Sequence, residues 1–353
     1  MNLKLRIISL VLFFSLIISF SETIKAFWLF DLFKGGNKME ETYTNPVGEI
    51  TDIGDPFVIK HQDQYYMYAT SAPDFGFKVW ESTDLVNWEE KALALDSGLE
   101  GNRWGTGDFW APEVINYQDK FYMTYSARDE DGHLKIALAV SDNPIGPFIN
   151  LKAPLFDRGM SYIDGHILID QGVPYLYYVK DCSENIINGV HTSQIFVQEM
   201  SKDLLELKGE PTLVVEPSQS WEGISESWQW NEGPFVLKHE GTYYLMYSAN
   251  VYSSSDYSIG YATADNPLGP WKKYKNNPIL VKDLENGISG PGHNSVISSP
   301  DDSELFIVYH IHTYPDMPNG NRTMSIDRLY FEDGILKVEG PTSTPQPVPS
   351  KSK

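Results

Sequence analysis

Five short stretches each open an apolar run with a residue able to carry a proton or a charge. They are Asp55 in "GDPFVI", Glu113 in "WAPEV", Asp164 in "YIDGHILID", Glu232 in "NEGPFV" and His293 in "GPGHNSV". Four of the five are carboxylic acids. Acids crowded into one place repel one another, and such a cluster costs stability unless it is paired or used. Two carboxyl groups facing each other suit glycoside hydrolysis. One protonates the departing oxygen. The other activates water across a gap of about 6.5–9.5 Å, or attacks directly at about 5–5.5 Å. A third carboxylate beside the acid keeps it protonated at working pH. Taken singly, an Asp or Glu beside Gly or Pro caps a turn. What lifts these residues above that reading is their register.

Each stretch begins one half of a hairpin. Pro56, Pro112, His166 and Pro234 open the first strands, and each stands nine residues before an aromatic run that starts at Tyr65, Phe121, Tyr175 or Tyr243. The fifth copy, from Gly292, is slightly longer. Polar turns such as "HQDQ" and "HEGT" separate the halves, and a third strand with its own turn follows, as in "FKVWESTDLVNWEE" and "IGYATADNPLGPWKKY". A unit of about four strands written five times predicts an all-β chain folded as a five-bladed β-propeller. The competing architecture is a β-sandwich or a pair of them. In a propeller the first strands line the central channel, so their opening residues gather at one mouth. In this register Asp164 and Glu232 share a position two residues ahead of the strand-opening residue, and Asp55 stands one ahead.

The chain has 353 residues with 41% apolar and 13% aromatic content, enough for a substantial core. The net charge of −21 argues against a nucleic-acid partner. Residues 1–26 read as a secretory signal, with Lys4 and Arg6 ahead of the apolar run Ile7 to Phe20. The apolar stretch Phe27 to Phe33 leaves an uncleaved anchor open, so the expected location is secreted or extracytoplasmic. Residues 27–45 read as a linker, 46–340 as the folded domain and the Pro/Ser-rich 341–353 as a disordered tail. Cys182 is the only cysteine, so no internal disulfide forms.

Six motifs in order at this spacing resemble glycoside hydrolase family 43, the five-bladed propeller glycosidases of plant cell-wall arabinans and xylans. They are the five stretches above and "NRTMSIDRL" with Arg322, and the resemblance spans about residues 45–340. It implies that Asp55 is the general base, that Glu232 is the general acid and that Asp164 orients the acid and tunes its proton affinity. It implies inversion in one displacement. Arg322 would bond the sugar and hold the charge cluster together. His293 resembles the family's axial histidine, which stands beside a bound calcium or water. No cofactor is required, and the metal the resemblance admits is a structural calcium, which prefers oxygen ligands. "HIH" at His310 to His312 could bind zinc, but core hydrogen bonding is the preferred reading. Trp110 is the leading sugar platform, followed by Phe75 or Phe77. Two insertions, Ala92 to Phe109 and Glu216 to Trp230, are expected to bring Trp104, Trp221, Trp228 and Trp230 near the mouth and wall off a pocket. The expected partner is an arabinose- or xylose-containing poly- or oligosaccharide. The preferred activity is an exo-acting α-L-arabinofuranosidase, followed by a β-xylosidase and an endo-arabinanase. The rivals are a carbohydrate-binding propeller without turnover and a retaining fructan-active enzyme.

Overall fold

The computed structural model describes residues 41–351. The expected signal segment and most of the expected linker lie outside the described residues. The fold is all-β, with 53% strand and 2% helix, and is consistent with a β-propeller.

Five antiparallel meanders follow one another along the chain. The first is Thr51–His61, Gln64–Thr70, Gly76–Ser82 and Glu89–Asp96. The second is Trp110–Tyr117, Lys120–Arg128, Leu134–Ser141 and Ile149–Lys152. The third is Tyr162–Asp170, Val173–Lys180, Gln194–Met200 and Leu207–Val215. The fourth is Asn231–His239, Thr242–Ala249, Ser258–Ala264 and Lys272–Lys273. The fifth is Gly292–Ser298, Leu305–His312, Arg322–Glu332 and Ile335–Val338. Arg322 and Thr323 also pair with Ile53 and Thr51, so the last and first meanders share one sheet.

The aromatic second strands are apolar on both faces because both faces are covered. In the first meander Tyr66 and Tyr68 face a core shared with the second, which supplies Phe121, Met123 and Tyr125. Tyr65, Met67 and Ala69 face a core shared with Phe306 and Val308 of the fifth. The same alternation puts further cores between meanders two and three, three and four, and four and five. Period-two alternation therefore appears as an unbroken apolar run. Tyrosine suits these sites because its hydroxyl can reach polar backbone in the neighbouring meander. Tyr68 donates to the carbonyl of Pro144 at 2.5 Å and Tyr177 to that of Pro267 at 2.7 Å.

Both ends of the described chain dock on the fifth meander, which corrects the expectation of a disordered tail from residue 341. Thr42–Tyr43 pairs with Gln346–Pro347. Asn45 donates to the carbonyl of Ile326 at 2.8 Å, Thr342 to Asp327 at 2.5 Å, and the Ser350 amide to Glu304 at 2.8 Å. Pro and Ser there supply an edge strand and hydrogen-bond partners rather than a solvated coil. Among the described residues no helix is long and apolar enough to cross a membrane.

Candidate active site

In all five first strands the pairing slips by one residue near the start. The slips fall between Gly54 and Phe57, Trp110 and Glu113, Ile163 and His166, Glu232 and Phe235, and Gly292 and Ser295. Inside each slip one residue has positive φ: Asp55 (55°), Ala111 (45°), Asp164 (55°), Gly233 (58°) and His293 (48°). Such a β-bulge re-aims a side chain, and for a residue other than glycine the conformation is uncommon.

A repeated hydrogen bond secures these bulges. The bulge N–H of one meander donates to a side chain at the end of the preceding meander's second strand. Ala111 donates to Thr70 at 2.9 Å, Asp164 to Ser126 at 3.0 Å, His293 to Ser248 at 2.8 Å, and Asp55 to Nδ1 of His310 at 3.2 Å. The equivalent residue of the third meander is Val179, opposite Ile163, which has no acceptor. The Gly233 N–H donates instead to Oδ2 of Asp164 at 2.9 Å. The one break in the repeat thus ties Asp164 to the backbone next to Glu232.

The ladder also corrects the register. Asp164 is equivalent to Asp55, not to Glu232, and Glu232 shares its position with Trp110. The sequence register aligns His166 with the prolines, whereas the pairing aligns Gly165 with them. Pro174 stands where the first meander has Tyr65. The aromatic run of the third meander therefore begins one residue late and displaces the apparent register.

Asp55, Asp164 and Glu232 all line one cavity of about 370 Å³, together with Trp110, His293 and Arg322. Each of the three carboxylates is buried. Asp55 accepts from Nη1 of Arg322 at 2.7 Å and from Thr70 at 2.6 Å, and Nδ1 of His293 lies 3.3 Å away. Burial alone would raise its pKa, but the Arg322 guanidinium, helped by His293, His310 and Thr70, holds it well below the usual carboxylate range. Glu232 accepts from the hydroxyl of Tyr257 at 2.9 Å. Burial, and then the negative charge of Asp164, push its pKa well above the ordinary value. Burial also raises Asp164, to about 6. One pocket therefore holds one carboxyl group whose surroundings favour ionisation and another whose surroundings favour the proton.

Two glycines make this packing possible. A Cβ on Gly54 would lie 2.0 Å from Cζ of Arg322, and one on Gly292 would lie 2.0 Å from the Tyr257 ring. Arg322 is further held over the Tyr252 ring, 4.8 Å from its centroid.

Several expected residues lie elsewhere. Phe75 is exposed and absent from the cavity lining, and Phe77 is buried in the core between meanders one and two. Trp104 packs against that same core. Trp221 packs against the core between meanders three and four. Of the four loop tryptophans, Trp228 and Trp230 reach the cavity. Glu113 pairs with Nδ1 of His166 at 2.6 Å, and Nε2 of His166 accepts from Val236, which makes this acid a structural partner. His310 and His312 hydrogen-bond in the interior to Asp55 and Ser289. Among the described residues no group of three or more His, Cys, Asp or Glu is placed to hold a metal.

Residues missed in the sequence include Thr70, Tyr257 and Asp181, a fourth carboxylate in the lining that accepts from the Ser183 amide at 2.9 Å. Thr70, Ser126 and Ser248 do leave a sequence signal. A small hydroxyl residue recurs at the end of the aromatic runs "YYMYAT", "FYMTYS" and "YYLMYS".

The family model for glycosyl hydrolases family 43 matches residues 43–336. The chain belongs to that family. It is thus a glycosidase with a carbohydrate substrate. A solved thermostable family-43 glycoside hydrolase is 73% identical with a TM-score of 0.88, over 88% of this chain and all of that one. A β-D-galactofuranosidase of Aspergillus niger is 27% identical over 80% of this chain and 82% of its own. An extracellular exo-α-(1→5)-L-arabinofuranosidase of Streptomyces avermitilis is 26% identical over 82% of this chain, which spans 61% of that enzyme.

Proposed function

We propose that this family-43 glycosidase is an exo-acting, inverting α-L-arabinofuranosidase built on a five-bladed β-propeller. The five meanders, with five cores between successive neighbours and the last joined to the first, support the blade count. The observation that carries the mechanism is that Asp55 and Glu232 line one buried pocket in opposite surroundings, Asp55 2.7 Å from the Arg322 guanidinium and Glu232 beside Asp164, which favours its protonated form. Asp55 takes a proton from water as the water oxygen attacks the anomeric carbon. Glu232 gives its proton to the glycosidic oxygen as the carbon–oxygen bond breaks. Asp164, whose pKa is the less elevated of the pair, ionises first and keeps the proton on Glu232. The reaction as proposed needs no cofactor.

Two observations favour a terminal furanose. The named activities of both relatives quoted above are on furanosides. The cavity, at about 370 Å³, lies at the small end of the roughly 300–1,000 Å³ range of ligand pockets, which suits a chain end. An exported location agrees with the extracellular relative and with the leader-like residues 1–26.

The test is hydrolysis of aryl α-L-arabinofuranoside and aryl β-D-xyloside, with NMR of the first-formed anomer. Release of arabinose with inverted configuration is expected. A faster xyloside reaction would replace the substrate assignment with a β-xylosidase. A retained anomer would exclude Asp55 as base, and binding without release from either would leave a non-catalytic module. Glu232→Gln should cost about 10²–10⁴-fold on poor leaving groups and far less on activated aryl ones. Equal losses would count against its role as acid.

A further inference from the structure

A second cavity, of about 850 Å³, adjoins the catalytic pocket and shares Trp228, Trp230 and Val251 with it. The wall between them is a built structure. The Trp228 and Trp230 rings stack at 6.0 Å and 22°, and His191 lies flat on Trp228 at 3.8 Å and 3°. His191 is fixed in turn by the carbonyl of Cys182 at 2.8 Å, and its strand pairs with Trp228–Gln229.

We infer that this second cavity is a binding cleft for the leaving-group side of the substrate, a neutral oligosaccharide of at least two further sugar units. The inference rests on the hydrolase reading above. The side of departure is set by the acid, because Glu232 must reach the glycosidic oxygen. Glu232 lies two residues beyond Trp230, and its hydrogen-bond partner Tyr257 stands between Asp256 and Ser258, both of which line the second cavity. The lining suits sugars. Trp221, Trp228 and Trp230 contribute aromatic surface to the lining, and Asn250, Asp256 and Lys282 contribute polar groups. Lys282 is already paired with Asp256 at 2.6 Å, and the chain carries a net charge of −21, so an uncharged chain is favoured over an acidic one.

The experiment compares kcat/KM on α-1,5-linked arabino-oligosaccharides of two to five units with that on aryl α-L-arabinofuranoside. The full chain is used, as the wild type and as Val281→Trp and Lys282→Ala. Both positions lie in the cleft lining, and Val281 is 42% exposed, so a larger side chain there fills the cleft without entering the core. For the wild type, kcat/KM should rise about 10-fold from the disaccharide to the tetrasaccharide, the size of one or two added sugar contacts. Val281→Trp should reduce that rise to under about 3-fold, and Lys282→Ala should reduce it in the same direction. A wild type that gains nothing from longer chains, while still cleaving the aryl glycoside, would overturn the cleft and leave the hydrolase reading standing. So would a Val281→Trp variant that keeps the full rise. No release from any glycoside would bring down the hydrolase reading and the cleft with it.

Discussion

Replacing Gly54 by Ala tests whether Arg322 keeps the base ionised. Gly54 does not have positive φ, so the substitution adds a methyl group without backbone strain. That methyl would lie 2.0 Å from Cζ and Nη2 of Arg322 and 2.4 Å from Nη1. Ordinary contact begins at 3.4 Å, so the guanidinium must retreat by 1.4 Å. Taken along the 2.7 Å bond to Asp55, that retreat leaves a separation of about 4.1 Å, beyond hydrogen-bonding distance. A hydrogen bond to a charged group is worth about 1.5–3 kcal/mol, so kcat/KM should fall by about 10- to 100-fold. The pH profile gives a sharper signature. Asp55 acts as a base only when ionised, and Arg322 is the main group depressing its pKa. With Arg322 displaced the pKa of Asp55 rises, and the acid limb of kcat/KM moves to higher pH. The assay is a pH series on aryl α-L-arabinofuranoside, whose good leaving group makes little demand on the acid. Overpacking of about 1–3 kcal/mol should also lower the melting temperature by a few degrees, which checks that the protein folds. An unmoved acid limb with kcat/KM within twofold of wild type would refute the role given to Arg322.

The acid has its own tests. Asp164→Asn keeps an acceptor for the Gly233 amide but removes the negative charge that helps raise Glu232. The alkaline limb, which follows loss of the Glu232 proton, should therefore move to lower pH, and a limb that stays put would deny Asp164 its tuning role. Tyr257→Phe removes a hydrogen bond that favours ionised Glu232, so the same limb should move to higher pH while kcat falls about 10-fold. A downward shift would mean that Tyr257 acts in some other way. Dialysis against EDTA tests the structural calcium: an unchanged melting temperature and kcat/KM would remove it from the reading. A loss restored by added calcium would establish a calcium site.

The hairpins and three carboxylates are legible in the sequence because strand periodicity and turn residues are local signals. The bulges are not, because they appear only when two strands pair. The hydroxyls of Thr70, Ser126 and Ser248 recur visibly, but their use depends on the next meander, whose amide each one accepts. Pro174 shifts the aromatic run of the third meander and so misplaces Asp164 by one position. Tyr257 carries no motif, and its reach to Glu232 depends on the missing side chain of Gly292 in another meander. The loop tryptophans divide for a similar reason. Trp228 is placed by pairing with His191 from a separate insertion, while Trp104 finds the nearby core.

The five bulges explain why a near-symmetric frame yields an asymmetric site. Each presents one side chain by the same backbone device, yet the residues are Asp55, Ala111, Asp164, Gly233 and His293. The two small residues matter as much as the three functional ones. A Cβ on Gly233 would come within 3.1 Å of the His293 ring, so a larger residue in the fourth bulge would press the imidazole of the fifth aside by a few tenths of an ångström. That imidazole stands beside Asp55 and favours its ionised form. A side chain on the fourth bulge would crowd His293, and the proposed acid is not carried there. It comes instead from the preceding residue, on the longer side chain of Glu232. There Asp164 is bound to the adjacent amide because Val179 cannot be. The proposed base, acid and tuner thus occupy distinct positions because two departures from the repeat, Gly233 and Val179, leave a space and a donor that their neighbours fill.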